Sequence, residues 1–373
     1  MKIKHKVLNV PIIQGGMGVG VSMSNLAGYV AKCGGMGVIS SANAGYQEED
    51  FQTNPKEANL RALTKHIQRA KEIAKGKGLV AVNIMTAVSN YENTCRAAIA
   101  AGADAIISGA GLPMKLPELI REQMAQISEQ GLSESARCLF APIVSSGKAA
   151  MLLCKSWLKK YNMLPDFIVI EGSKAGGHLG FSPEELRDNT AKDNDAILEE
   201  VLEAVKPFEE QQGEKIPVFV AGGVYDGVDM AHVMQKGASG IQLATRFIAT
   251  YECDAHENFK QAMVDVKKED IIIVDSPVGM PARAINTPLM QRLKNGGKLP
   301  PKLCNGCLTA CKKGDLTPYC ISRALIAAVN GDIENGLFFC GENAWRITEI
   351  VSVEQLMCSI TKEAEEQLGM VFA

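Results

Sequence analysis

The sequence has no run of about 18 consecutive apolar residues, the length a membrane-spanning helix needs, so it offers no transmembrane segment. It lacks an excess of charge of either sign: 39 Lys and Arg stand against 42 Asp and Glu, a formal net charge of −3. The basic footprint of a general nucleic-acid binder is therefore missing. An export signal is missing too. The basic start Met1-Lys2-Ile3-Lys4-His5-Lys6 is followed by Pro11, Gln14 and a glycine cluster, where a signal peptide needs an apolar stretch. The expectation is a cytoplasmic protein with neither nucleic acid nor membrane among its partners.

Hydrophobic residues make up 46% of the 373-residue chain and charged residues 22%, the balance of an ordinary globular protein. A core of this size needs no disulfide scaffold, and the 11 cysteines are an odd number in a chain without an export signal, which argues against a full disulfide framework. The 35 glycines are about 9% of the chain, against a usual ~7%, and they fall in clusters.

From residue 12 to about 250, short apolar runs alternate with segments of helical period. The runs begin at Ile12, Met36, Leu79, Ala105, Arg137, Phe167, Val218 and Gly240, and none shows polar alternation, as expected of strands buried on both faces. Eight such units of about 30 residues predict an α/β fold, a closed (β/α)8 TIM barrel. The rhythm changes after residue 250. The predicted organisation is a barrel over 1–265 and an appended C-terminal lobe over 266–373.

The glycine clusters sit where predicted strands end, the face on which a barrel carries its active-site loops. They are Gly15-Gly16-Met17-Gly18-Val19-Gly20, Gly176-Gly177-His178, Gly222-Gly223, and the Gly240 to Arg246 stretch. Glycine lets backbone N–H groups approach a ligand closely, and loops after strands seven and eight form the recurrent phosphate site of barrels. The first cluster has the wrong spacing for a dinucleotide fingerprint.

Pro11 to Met17, Val82-Asn83-Ile84, Glu171 to His178, Ala221 to Val224, Gly237 to Phe247 and Gly279 to Arg283 occur in an order that resembles the nitronate monooxygenase (2-nitropropane dioxygenase) family, which includes FMN-dependent enoyl-acyl-carrier-protein reductases. The resemblance covers about residues 7–290. It implies FMN at the top of the barrel, with Gly15, Gly16 and Met17 along the ring and Asn83 on its polar edge. Glu171, Gly176 and Gly177 would line the middle of the cofactor. Gly222, Gly223, Gln242, Ala244 and Thr245 would hold its phosphate, and His178 would be the catalytic base or hydrogen-bonding group.

Two activities follow from the resemblance: oxidation of alkyl nitronates with O2, or NAD(P)H-dependent reduction of an activated C=C bond such as an enoyl thioester. The stretch Pro142 to Lys148 departs from one monooxygenase class, which carries a lysine at its start, and is closer to the reductases. Lys148 is expected inside a helix and facing solvent; Lys174 contacts either an anionic substrate or water. A flavin-binding electron-transfer or regulatory protein without small-molecule turnover is the reading of a different class.

Four cysteines fall in seventeen residues as Cys304-x2-Cys307-x3-Cys311-x8-Cys320. Four thiolates suit a [4Fe–4S] cluster, able to exchange single electrons with FMN, or a structural Zn²⁺, and reduced loop thiols are the alternative. Cys340 is a candidate fifth participant. Cys33, Cys95, Cys138, Cys154, Cys253 and Cys358 read as packing residues. The appended lobe either covers the barrel rim or makes a homodimer contact.

Overall fold

The computed structural model describes residues 1–131, 136–299, 304–309, 311 and 317–372. Eight parallel strands close into a barrel: Ile12–Gln14, Met36–Ser40, Leu79–Met85, Ala105–Gly109, Leu139–Val144, Ile168–Glu171, Val218–Ala221 and Gly240–Leu243. Each strand pairs with its neighbours in sequence, and strand eight returns to strand one through Ile241 opposite Ile12. Seven helices cover the outside, Ser24–Lys32, Pro55–Ala74, Tyr91–Ala100, Leu116–Glu129, Gly147–Tyr161, Asn194–Gln212 and Gly227–Gln235.

The absence of polar alternation has a simple cause. Within each strand one set of side chains fills the barrel interior and the other meets the helices. Ile13, Val38, Ala81, Ile107, Ala141, Val169 and Phe219 belong to the interior cluster. Ile12, Ile39, Val82, Ile106, Phe140, Ile168 and Val220 pack outward into the helix layer. Ile3 and Leu8, from a short N-terminal hairpin and the turn after it, join the interior cluster. Strand five runs beyond the predicted run 137–141, through Pro142, which pairs with Ser108 of strand four.

Beyond residue 250 the chain makes two excursions. Ile271–Asp275 and Pro281–Ile285 form an antiparallel hairpin, and the second strand also pairs with the two-residue strand Gly177–His178. The final helix Val353–Leu368, opened by a Ser352–Gln355 capping box, packs between the helices Gly227–Gln235 and Ser24–Lys32 and fills the eighth position of the helix ring. Among the described residues no helix is long and apolar enough to cross a membrane.

Candidate active site

The strand ends and their following loops enclose a cavity of about 490 Å³ at the C-terminal rim. At one side strand one hands over to Gly15, whose N–H donates to the Leu243 carbonyl at 2.7 Å. Gly16 has no room for a side chain, because a Cβ there would stand 2.4 Å from the Asn83 Cβ. Buried Gln14 holds this corner in place: its Oε1 accepts from the Val38 N–H at 3.0 Å, and its Nε2 donates to the Val38 carbonyl at 3.2 Å.

The opposite side is built by strands seven and eight. Gly222 and Gly223 have φ of +85° and +87°, the left-handed region that favours glycine. Gln242, Ala244 and Thr245 continue the wall. A segment from the far end of the chain closes over it. The Gly341 N–H donates to the Thr245 hydroxyl at 2.9 Å, and the Asn343 amide donates to the Gly223 carbonyl at 2.7 Å. Beside them the Tyr225 ring is sandwiched by two guanidinium groups, Arg246 at 4.2 Å and Arg346 at 3.9 Å.

Between the two sides lie Glu171, Gly176, Gly177 and His178. The Glu171 carboxyl ends strand six, has no hydrogen-bond partner among the described residues, and is pushed up to about 7 by burial. Arg283 braces the adjoining turn, donating to the carbonyls of Ser173 at 2.8 Å and Ala175 at 2.5 Å. His178 shares a hydrogen bond between its Nε2 and the Ser276 hydroxyl at 2.8 Å and stacks edge-on to Phe339, 5.3 Å between ring centres. Burial pushes its pKa down to about 4, so the ring is neutral at pH 7. The neutral ring keeps one nitrogen as donor and one as acceptor.

A second, mainly apolar compartment of about 150 Å³ joins the first at His178, and Val19, Met85, Ala110, Met280 and Leu325 face both. Cys307, Leu308, Cys311 and Ile321 form part of its wall, and Lys56 is a cation lining it. The cysteine loop is tied to the barrel there. The Ser89 N–H donates to the Cys307 carbonyl at 3.1 Å, its hydroxyl to Gly306 O at 2.6 Å, and Thr309 N–H to Ala87 O at 3.1 Å.

The structure thus brings every residue expected to contact FMN, together with His178, to the wall of one cavity. The cysteines divide differently. Cys304 is exposed, and Cys307, Cys311 and Cys320 are half-buried; among the described residues no three His, Cys, Asp or Glu side chains stand together in metal-binding geometry. Cys340 is not with them: it lies in the wall of the larger cavity, its thiol pushed up to about 12 by burial. Cys95, Cys138, Cys154 and Cys253 are buried packing residues, whereas Cys358 is exposed on the outer face of the final helix. Lys148 is exposed on its helix, and Lys174 is exposed with its stem lying over Gly223.

The nitronate monooxygenase family profile matches residues 1–363. The chain belongs to the nitronate monooxygenase family. That family is named for an oxidoreductase activity. A probable nitronate monooxygenase of Staphylococcus haemolyticus is 33% identical over 36% of this chain and 36% of its own length. A dehydrogenase of Rhodococcus jostii named for a hydroxy-methyl-oxo-octahydroindene carboxyl-CoA is 26% identical over 78% of this chain. The match spans 66% of that relative's length. Among solved structures, FabK from Thermotoga maritima superposes with a TM-score of 0.69 at 25% identity, covering 97% of this chain and 94% of that one. The nitroalkane oxidase of Streptomyces ansochromogenes shares the fold, with a TM-score of 0.70 at 20% identity over 96% of each chain.

Sequence reading overlooked three parts of the site: Ser276, Arg283 and the 341–347 segment. Arg283 stood in a recognised motif. The other two carry no local signal, since they reach the cavity only through tertiary pairing.

Proposed function

We propose that this chain is an FMN-dependent oxidoreductase that oxidises alkyl nitronates with O2, the substrate lying beside His178. The observation that carries this reading is the position of His178 where the glycine-walled cavity meets the apolar compartment. The residues present fit FMN. Gly16 packs directly against Asn83, so the first loop and the Asn83 side chain form one continuous wall for a flat ring, and the unpartnered Glu171 carboxyl offers an acceptor to hydroxyl groups. The left-handed glycines 222 and 223 free backbone amides to face a phosphate, with Arg246 close by. When bound, the flavin supplies the two-electron redox chemistry.

The protein residues bind and orient. Gly15, Gly16, Met17 and Asn83 position the ring, Glu171, Gly176 and Gly177 the middle, and Gly222, Gly223, Gln242, Ala244 and Thr245 the phosphate. His178 offers the substrate its Nδ1, which has no protein partner among the described residues, while Ser276 fixes the ring through Nε2. A ring with pKa about 4 is neutral at pH 7, so it can hold the substrate by a hydrogen bond or take a proton from it as a weak base. The apolar compartment excludes water and receives the alkyl portion.

A second reading, NAD(P)H-dependent reduction of an activated C=C bond, is supported by the rim at strand five. Ile143, Val144, Ser145 and Ser146 line the cavity there and present no cation to an anionic nitronate. The name of the Rhodococcus relative, which carries a CoA thioester, points the same way. Purified protein is expected to release FMN on denaturation. Anaerobic mixing then separates the readings: rapid bleaching by an alkyl nitronate, with slow bleaching by NADH and NADPH, supports the first, and the reverse supports the second. Protein that neither carries nor takes up FMN sinks both.

A further inference from the structure

We propose that Cys304, Cys307, Cys311 and Cys320 are the thiolate ligands of a [4Fe–4S] cluster seated against the apolar compartment. This inference is independent of the nitronate reading. The first support is spacing: three cysteines sit on one loop and the fourth arrives eight residues later. Structural zinc is usually gripped by two ligand pairs, whereas a run of three close cysteines with a more distant fourth suits the corners of a cuboidal cluster.

The second support is placement. Cys307 and Cys311 line the same compartment. The Cys307 sulfur lies 3.0 Å from the hydroxyl of Ser322, two residues beyond Cys320, so the loop and the start of the helix Ile321–Val329 meet at that sulfur. Cys320 occupies the N-cap of this helix yet makes no side-chain capping bond. None of the four is bridged in a disulfide among the described residues. Residues 304–307 are in no helix or strand, and the loop is held to the barrel at Ala87 and Ser89 rather than by its own sulfurs.

The third support is contrast. Of the remaining cysteines, Cys95, Cys138, Cys154, Cys253 and Cys340 are buried among apolar neighbours, where a thiol packs as a small hydrophobe. Cys304, Cys307, Cys311 and Cys320 are instead exposed or half-buried, and two of them, Cys307 and Cys311, line the apolar compartment. Without a metal the four sulfurs do not close into a ligand set; thiolate sites commonly close only on binding, because metal affinity and local folding are coupled.

The test is anaerobic purification of the full chain, followed by analysis of iron, acid-labile sulfide, zinc and FMN in the same sample. The expected result is about four iron and four sulfide per chain, with an electron paramagnetic resonance signal after dithionite reduction. Cys307→Ser and Cys320→Ser should each lower iron at least fourfold while FMN per chain is unchanged. Stoichiometric zinc without iron overturns the proposal. So does a wild-type protein that takes up no iron after anaerobic incubation with ferrous iron and sulfide, its four thiols still reacting with a thiol reagent. If the serine variants fail to fold, the wild-type metal analysis decides alone. FMN content is read separately, so loss of the cluster and loss of the flavin reading give different results.

Discussion

The Nε2 of His178 stands 2.8 Å from the Ser276 hydroxyl, across 98 residues of chain. The contact exists because Pro281–Ile285 pairs with Gly177–His178 on one edge and with Ile271–Asp275 on the other, bringing the hairpin's turn over the histidine. A neutral imidazole hydrogen-bonded at one nitrogen has a fixed orientation for the other. Ser276→Ala is expected to leave FMN stoichiometry unchanged and to lower kcat five- to tenfold, the loss of about 1 kcal/mol of positioning. His178→Ala should abolish turnover with FMN retained. Steady-state kinetics beside flavin content checks both, and a Ser276→Ala enzyme with unchanged kcat would refute the positioning role.

Glu171 gives a pH signature. Its folded-state pKa, raised to about 7 by burial, exceeds the ordinary value of 4.5. Between those values the folded chain holds a proton that the unfolded chain has released, so its contribution to stability falls as pH rises through that window. Glu171→Gln removes the slope. In flavin-free protein the Tm advantage of the variant should be small at pH 5 and grow towards pH 8. A difference that stays flat with pH would show that the carboxyl is not desolvated.

Much of the fold was legible because its signals are local. Met36–Ser40 is apolar throughout since both of its faces are covered, and Gly102 and Gly237 adopt the left-handed backbone that ends a helix before a strand. Strand five was harder to delimit. The apolar run 137–141 stops before Pro142, yet Pro142 lies inside the strand, opposite Ser108 of strand four. The cavity wall was legible as far as glycines and motif residues mark it. Asn343 was not, because a lone asparagine 120 residues from Gly223 carries no sign that its amide will close over that carbonyl. Nor was the shift of His178 away from neutrality, which arises from burial under a hairpin that is itself placed by tertiary pairing.

Gly16 tests the ring end of the cavity. A methyl group there meets the Asn83 Cβ at 2.4 Å, a contact between two atoms fixed by backbone. Gly16→Ala is expected to cost about 1–3 kcal/mol of stability and most of the bound FMN. Adding Asn83→Gly removes the opposing atom and should restore thermal stability to that of Asn83→Gly alone. Thermal melts of the three variants check this, and an unperturbed Gly16→Ala protein carrying full FMN would contradict the close packing.

Asn343 tests the proposed phosphate end. Its amide is a donor that ties the C-terminal segment to the Gly223 carbonyl at 2.7 Å. Asn343→Ala should weaken FMN binding about fivefold, the equivalent of one neutral hydrogen bond of ~1 kcal/mol, with little change in the Tm of flavin-free protein. Fluorescence titration of stripped protein with FMN measures it. Equal affinity in the variant would mean that the segment does not help to hold the cofactor.

The opposite end of the barrel should behave in the reverse manner. Arg137 and Asp166 precede strands five and six and form a buried two-bonded pair, 2.7 and 3.0 Å, while Asp166 Oδ2 also accepts from the Phe140 N–H at 2.9 Å. Removing one partner strands a charge out of water. Asp166→Ala should therefore destabilise the chain by about 3–5 kcal/mol, whereas Arg137→Met with Asp166→Leu should recover most of that loss. Because both residues lie before their strands, away from the rim where His178 sits, kcat per bound FMN should be unchanged in every folded variant. Denaturant melts and single-turnover kinetics on the same preparations separate the two quantities. A variant that keeps its stability but loses turnover would show that this end of the barrel communicates with the site.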